Sequence, residues 1–492
     1  MRWVQRLSPL DSSFLRVETP TAHMHVGWLA TLLLPEGCES LDVALLTKRI
    51  EARLHLAPRF RQRLAPAPIG EPRWADDERF AIARHLHVLG GEPPTRAELD
   101  DVAGRFLSVQ LARDRALWAI LVVPRVAGTR RAAILGKVHH AMVDGVAAVE
   151  LGTMLFDLAP DAAPPVPEDW HPERSPGALG LTAGAVVEGA VEQFRAARRA
   201  VEMGLTPRRS LRVAETLRRA ALQVAEDVIN PAPPSFLNPS IGPRRSLVNT
   251  RLPIDRMLRV KERRAVKLND VVLATVAGAL RQFAVAHGEA PHPIRVMVPV
   301  NVRRDGDAGG NRITLAFLDL PLDEARPLRR LAVIHGRTQE LKRSGRVAGG
   351  DVLMRGIGQL PGFVKERAAR LAASPRMYNV TVSNVPGPRA KLFAAGAEVE
   401  AIYPVIPIAD EHALAVGVVT YGDAIHFSCF VDPEALPAAP ELPALIEESA
   451  AELERASTRR RHPPRRRHRD QGARANARVY PSHRGSSKPA YS

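Results

Sequence analysis

The chain is poor in cysteine, and it lacks the short motifs that build several common reaction sites. Cys38 and Cys429 are its two cysteines, with no CxxC pair or Cys/His cluster between them. This pattern excludes a disulfide scaffold and a structural zinc, and it fits a reducing cytoplasm. No GxSxG nucleophile elbow, P-loop or strand-linked GxGxxG is present. Serine-nucleophile chemistry, a phosphate cradle and a dinucleotide fold are therefore disfavoured.

Long hydrophobic runs are also missing. The N-terminus has no apolar run of signal-peptide length, and no stretch reaches 18 uninterrupted apolar residues. We therefore expect neither a secretory leader nor a transmembrane helix. The composition, 45% hydrophobic and 25% charged, is typical of globular proteins. A length of 492 residues favours two sizeable domains over one small core.

The net charge of +16 is concentrated at the C-terminus. Residues 455–492 contain twelve Lys and Arg and one acid, Asp470, which leaves a net charge of only +5 on residues 1–454. We predict a disordered basic tail over 456–492, because it has almost no large aliphatic residues. Contact with an anionic membrane surface is the favoured role, and nucleic acid is the less favoured partner.

The body of the chain alternates between strand and helix patterns, which predicts an α/β fold. Proline-rich segments divide it into an N-terminal domain (1–160), a Pro-rich and helical linker (161–243) and a C-terminal domain (244–455). Strands are predicted at Trp28–Leu34, Leu117–Val123, Ala132–Val138, Ile294–Val300, Arg312–Leu320, Asn379–Ser383, Leu414–Thr420 and Ala424–Phe430. Helices are predicted at Leu41–Leu54, Arg96–Leu111, Leu268–Ala286, Leu328–Arg343 and Leu442–Arg455, with a helical hairpin over 178–229.

The segment with the clearest chemical potential is HHAMVDG, residues 139–145, which directly follows a buried strand. An imidazole at a strand end can take a proton from an alcohol, and an acid four residues later can fix the turn or the tautomer of the ring. The spacing also fits two histidines in an ordinary turn, with Asp144 as a helix N-cap. A metal site with His140 and Asp144 lacks a third ligand. Because strand neighbours point to opposite faces, we expect His139 to face the scaffold.

Together with five other motifs, HHxxxDG resembles the bacterial wax ester synthase/diacylglycerol acyltransferase family. The others are Leu7–Phe14, Asp114–Trp118, Asn269-Asp270, Gly310-Asn311 and Ser383–Pro388, in family order. The resemblance spans roughly residues 7–455 and departs from the family at Ala116, where proline is common. It implies the HxxxD acyltransferase group, in which two chloramphenicol-acetyltransferase-like domains enclose a tunnel.

The resemblance also implies roles for single residues. His140 would be the general base, Asp144 a structural residue and His139 a supporting one. The substrates would be acyl-CoA and a hydroxyl acceptor, either diacylglycerol or a long-chain alcohol, with no metal or other cofactor. Without a Ser or Cys nucleophile motif, direct transfer in a ternary complex is favoured over an acyl-enzyme.

Donors for the developing oxyanion remain to be assigned. The candidates are Ser383, Asn384, Asn269, Asp270 and Asn311. Alternatives stay open: Ser383 and Asn384 in a plain turn, Asn269-Asp270 as a helix N-cap, and Asn311 at the domain interface. Two other functions are considered, a condensation-like enzyme that uses a carrier-protein thioester and a non-catalytic lipid-associated protein. We expect a cytoplasmic protein that associates peripherally with the inner membrane face or with lipid bodies.

Overall fold

The computed structural model describes residues 5–65, 71–142, 230–301, 313–343 and 362–458, with short stretches such as 154–163 and 169–174 and single positions between 152 and 198. Two six-stranded sheets and one small three-stranded sheet form its β-structure. The strands are β1 Gln5–Arg6, β2 His25–Leu33, β3 Gln62–Ala65, β4 Arg73–Asp76, β5 Leu86–Val88, β6 Trp118–Val126, β7 Arg131–His139, β8 Ser246–Pro253, β9 Ile294–Asn301, β10 Ile313–Leu320, β11 Val380–Pro386, β12 Phe393–Ala394, β13 Ala397–Val405, β14 Leu414–Tyr421 and β15 Ala424–Val431.

The first large sheet has the strand order β12-β13-β2-β7-β6-β5, and β7 is one of its central strands. Strand β7 reads RAAILGKVH, and every residue after Arg131 is buried. One face of this sheet packs against a core that includes Leu46 and Ile50, and the other face against Leu99 and Leu107. Burial on both faces explains the continuous apolar run, since neither side of the strand meets water.

The second large sheet has the order β10-β9-β11-β14-β15-β8. Strands β9, β11 and β14 run parallel to one another, and the remaining pairs are antiparallel. The small sheet has the order β1-β4-β3. The mixed α/β architecture predicted from the strand and helix patterns is confirmed.

Strand β13 connects the two halves of the chain. It lies within the predicted C-terminal domain, yet it pairs antiparallel with β2 of the first sheet, with Val405 opposite Gly27. The Ser428 hydroxyl of β15 donates to the Pro404 carbonyl of β13, which joins the second sheet to the first. The two predicted domains therefore share a strand, and their boundaries stay a prediction.

Eight α-helices lie in the described part of the chain. They are α1 Pro9–Val17, α2 Val43–Arg53, α3 Arg96–Ser108, α4 Ile254–Arg264, α5 Leu268–Ala286, α6 Pro327–Arg343, α7 Gly362–Ala372 and α8 Leu442–Thr458. Helix α5 is long and apolar enough to cross a membrane, but 72% of its apolar window is buried inside the fold. It is the central helix of the core beneath the second sheet, where Val272 and Val276 contact the strands.

The predicted elements recur with small shifts at their ends. Helix α5 has the predicted bounds, and α8 continues past the predicted end at Arg455 to Thr458. The last turn of α8 is held because Arg264 donates to the carbonyls of Ala456 and Ser457. The elements that were not predicted are helices α1, α4 and α7 and strands β1, β3, β4, β5, β8, β12 and β13. The predicted helical hairpin over 178–229 lies almost entirely outside the described residues.

Candidate functional site

The end of β7 is built so that two consecutive histidines leave a rigid strand. Gly136, three residues before His139, pairs with Trp28 across the sheet. A Cβ atom at Gly136 would lie 1.9 Å from the Trp28 ring, so only glycine lets the indole lie against the strand. Beyond His139 the chain turns into a short 3₁₀ helix, His140–Met142. The strand is thereby held in register up to the residue before the turn.

His140 has one ring nitrogen enclosed and the other accessible. Its ring stacks on Phe14 of α1, with centroids 3.7 Å apart and planes 16° apart. Nδ1 is buried without a hydrogen-bond partner among the described residues, whereas Nε2 is accessible. Desolvation by the surrounding protein lowers the pKa of His140 to about 4. The ring is therefore neutral at pH 7, with Nε2 available to take a proton.

His139, the last residue of β7, is buried in the fold, as expected for a ring that faces the scaffold. It is 1% exposed, and its Nδ1 accepts a hydrogen bond from the Ala141 N–H at 3.0 Å. The Nε2 atom lies 3.6 Å from the Glu18 carboxylate. Although burial raises the pKa of Glu18, its interactions with His139 and Arg113 dominate and lower it to about 2. An ionised carboxylate is thus enclosed beside the first histidine of the motif.

Two more histidines line the same region from β2 and the loop before it. His25 is opposite His139 in the sheet, with ring centroids 6.1 Å apart, and His23 lies 5.5 Å from His25. Burial and the nearby Lys137 lower the pKa of His25 well below its ordinary value. Burial lowers the pKa of Lys137 to about 7, and its Nζ donates to the Phe106 carbonyl at 2.6 Å. The histidines around the motif are therefore held in a largely desolvated setting.

The second half of the chain contains a hydrogen-bonded pair of asparagines among the predicted site residues. Asn384 of β11 donates through Nδ2 to Oδ1 of Asn269 in α5, at 3.1 Å. Both residues are half-buried. The Asn269 amide N–H groups have no hydrogen-bond partner among the described residues. The structure thus brings together two of the predicted oxyanion candidates and leaves amide donors unused.

Asp270 and Ser383 are placed differently from this pair. Asp270 accepts from the backbone N–H of Lys267, from His335 at 2.7 Å and from Thr338 at 2.8 Å. Its carboxylate therefore caps α5 and joins it to α6, and the N-cap position itself is Lys267. Ser383 is 7% exposed and shares a register position with Gly417, on the opposite face of β11 from Asn384.

Two of the predicted site residues, Asp144 and Asn311, lie outside the described residues, so their roles stay predictions. In the described part of the chain, no group of three His, Cys, Asp or Glu side chains could hold a metal ion.

Sequence reasoning named neither Phe14 nor Glu18 as a site residue. Phe14 is the last residue of the Leu7–Phe14 motif. A signal was available, because Ser8 followed by proline is a helix start, and positions four apart on a helix share one face.

Comparison with known proteins identifies the family of the chain. Residues 7–272 match the model of the wax ester synthase/diacylglycerol acyltransferase catalytic domain, and residues 309–454 match the C-terminal domain of the same family. A Mycobacterium tuberculosis protein named as a diacylglycerol O-acyltransferase is 32% identical over 449 residues, which cover 88% of this chain and 87% of that protein.

Two solved structures are similar in fold. The wax ester synthase/diacylglycerol acyltransferase from Marinobacter aquaeolei VT8 has a TM-score of 0.65 and 26% identity, over 92% of this chain and 100% of that one. A starter condensation domain of rhizomide synthetase, solved with C8-CoA, has a TM-score of 0.56 over 92% of this chain and 94% of that one. At 14% identity the latter shows the fold alone. By both of its family domains, its relatives and its fold, the chain belongs to the wax ester synthase/diacylglycerol acyltransferase family of acyltransferases.

Proposed function

We propose that the protein transfers a fatty acyl group from acyl-CoA to the free hydroxyl of a diacylglycerol, and that it also accepts long-chain alcohols to form wax esters. The observation that carries this proposal is the neutral His140 ring with one accessible nitrogen at the end of a rigid strand. The family match and the diacylglycerol acyltransferase name of the relative supply the substrate class.

The reaction that the site supports is direct transfer. His140 Nε2 takes the proton of the acceptor hydroxyl as its oxygen attacks the thioester carbonyl carbon. The tetrahedral intermediate then collapses, the C–S bond breaks, and the imidazolium returns the proton to the leaving thiolate. The products are the ester and free CoA. The unused Asn269 amide donors are suited to the developing oxyanion, and Asp144 keeps the structural role that the sequence predicts.

The test is product analysis with labelled palmitoyl-CoA and a panel of acceptors that includes diacylglycerol and hexadecanol. We expect CoA release matched by triacylglycerol, with wax ester from the alcohol. His140→Ala should lose about 10²- to 10⁴-fold in kcat, the range typical of a lost general base. His139→Ala is the variant to compare and should retain more activity than His140→Ala, since the His139 ring lies beside Glu18. Full activity in His140→Ala, or no thiol release by the wild type, would contradict the proposal.

We further propose that the enzyme works at a lipid surface on the cytoplasmic side of the membrane. The basic C-terminal segment supports this, because its twelve cations would be attracted to anionic headgroups.

A further inference from the structure

Resting on the proposed function, we infer that Glu18 is a positioning residue for the general base and acts on His140 through His139. It does not touch the substrate. Phe14, one helical turn earlier, holds the ring of His140 directly. Helix α1 and its C-cap residue thus lie beside both histidines of the motif.

Phe14 and Glu18 are four residues apart, at the end of α1 and at its C-cap. This spacing puts them on one side of the helix. Phe14 stacks on His140, and the Glu18 carboxylate faces His139 Nε2 at 3.6 Å. Consecutive residues of the HH motif therefore meet consecutive turns of one element.

The carboxylate has a specific effect on the tautomer of His139. Nδ1 of His139 accepts from the Ala141 N–H, so this nitrogen carries no proton and the proton is on Nε2. His139 Nε2 has no hydrogen-bond partner among the described residues, and the Glu18 carboxylate lies 3.6 Å from it. At this distance the negative charge attracts an N–H at Nε2 and repels a lone pair there. Glu18 thus selects the tautomer that can accept from Ala141.

The Ala141 N–H belongs to the turn that carries the base. Residues His140–Met142 form the 3₁₀ turn, and the His140 N–H also donates to the Met24 carbonyl at 2.9 Å. If His139 changed tautomer, two N–H groups would face each other, and the turn would lose its internal anchor. The direction of His140 Nε2 would change with it.

Glu18 is itself held in place on several sides. Its side chain is 2% exposed, and the Arg113 guanidinium donates to its carboxylate. Helix α1 is anchored at the opposite face, where Ser12 and Arg16 both donate to the buried Glu71. Because the Glu18 carboxylate has little freedom to move, it can hold the neighbouring His139 ring in one orientation.

The first experiment compares Glu18→Gln with the wild type. We expect kcat to fall by about 10- to 100-fold, the range for a small misplacement of reacting groups, with KM for acyl-CoA unchanged. Glu441→Gln is the matched control, because Glu441 also pairs with a histidine, His287 at 3.1 Å, but is half exposed and lies on a different element. The control should keep wild-type kcat.

The second experiment asks whether Glu18 acts through His139. In Glu18→Gln combined with His139→Ala, kcat should equal that of His139→Ala alone within about twofold, because residues in one chain of contacts are not additive. If the two losses multiply, the inference is wrong. An unchanged kcat in Glu18→Gln would overturn it as well.

The third experiment does not depend on the activity of any variant, and it uses His139→Ala only to assign the imidazole signals. Imidazole ¹⁵N NMR of the wild type, with His139 assigned by its loss in His139→Ala, should show a protonated Nε2 and an unprotonated Nδ1. The opposite tautomer would overturn the inference even in an active enzyme. If the tautomer is as expected but no acyl transfer occurs, it is the proposed function that fails.

Discussion

At the residue scale, the surroundings of His140 determine its charge state, on which the pH dependence of the proposed reaction rests. Desolvation disfavours the charged imidazolium and lowers the pKa of His140 to about 4. Nearly all of the protein therefore carries the free base at neutral pH. The ring is a weak base in this setting, so the proposed reaction would rely on the placement of Nε2 and on oxyanion donors as well as on basicity.

The first prediction concerns the acid limb of the rate profile. With the pKa of His140 at about 4, kcat/KM should be flat from pH 8 to about pH 5 and then fall as the ring is protonated. The measurement is ester formation from labelled acyl-CoA, extracted and counted at each pH. An acid limb centred near the ordinary histidine pKa of 6.5 would mean that the ring is solvated in the working enzyme.

At the element scale, the start of α5 separates a structural residue from a candidate for catalysis. Asn269 and Asp270 are neighbours, but successive helical residues point about 100° apart. Asp270 is 1% exposed and joins α5 to α6 through His335 and Thr338. Asn269 instead meets Asn384 of β11. The two residues form one motif in the sequence, but on the helix they point in different directions and make different contacts.

The second prediction uses this division. Asp270→Ala should lower stability by about 1–3 kcal/mol, because it leaves buried donors unpaired, while kcat of the surviving folded protein stays close to wild type. Asn269→Ala should do the reverse, with a lower kcat and little change in melting temperature. Thermal unfolding and kcat measured on both variants make the comparison. Equal loss of activity in the two would remove the distinction.

Strand β13 can be predicted from the sequence as a strand, but its pairing partner cannot. Its sequence AEVEAIYPV alternates regularly, and its residues are alternately buried and half-buried. A period of two was visible in the sequence, so the strand itself could have been predicted. Its partner could not, because pairing with β2 joins Val405 to Gly27 across nearly the whole chain.

At the scale of the whole molecule, buried histidines make stability depend on pH. Desolvation lowers the pKa of His85, His140 and His426 to about 4 in the folded state, against 6.5 when unfolded. Between these values the unfolded chain binds protons that the folded chain excludes. The three histidines therefore lower the free energy of unfolding as the pH falls from 6.5 toward 4, and they leave it unaffected above pH 6.5.

The third prediction follows from that window. The free energy of unfolding, measured with urea at a series of pH values, should decrease steadily from pH 6.5 to pH 4.5. His426→Gln is the variant to compare, since both of its ring nitrogens are buried without a partner in the described part of the chain. It should show a shallower decrease than wild type. The same slope in both proteins would contradict a role for His426.

The fourth prediction concerns the basic C-terminal segment. Because α8 runs to Thr458, truncation belongs after that residue rather than after Arg455. The shortened protein should keep its kcat with dispersed substrate and lose sedimentation with anionic liposomes at low salt, since this attraction is screened by ions. Neutral liposomes are the control. Undiminished sedimentation would exclude the segment as the membrane contact. If the full-length protein binds nucleic acid and the truncated protein does not, nucleic acid is favoured as the partner of the segment.

The sequence by itself determined the fold class, most of the elements and the position of the HHxxxDG motif. Periodicity and turn residues are local, and HHxxxDG is contiguous, so all of these could be found without knowing which segments meet. The orientation of His139 also followed, from the alternation of a strand.

Only the tertiary structure decided what surrounds those residues. The stacking of Phe14 on His140, the carboxylate of Glu18 beside His139 and the pairing of Asn269 with Asn384 all join segments that lie more than a hundred residues apart. Desolvation, which sets the pKa of His140, depends on the same long-range packing. A local pattern shows which residue can do chemistry, but the charge state and orientation of that residue are set by neighbours that contact it only in the folded chain.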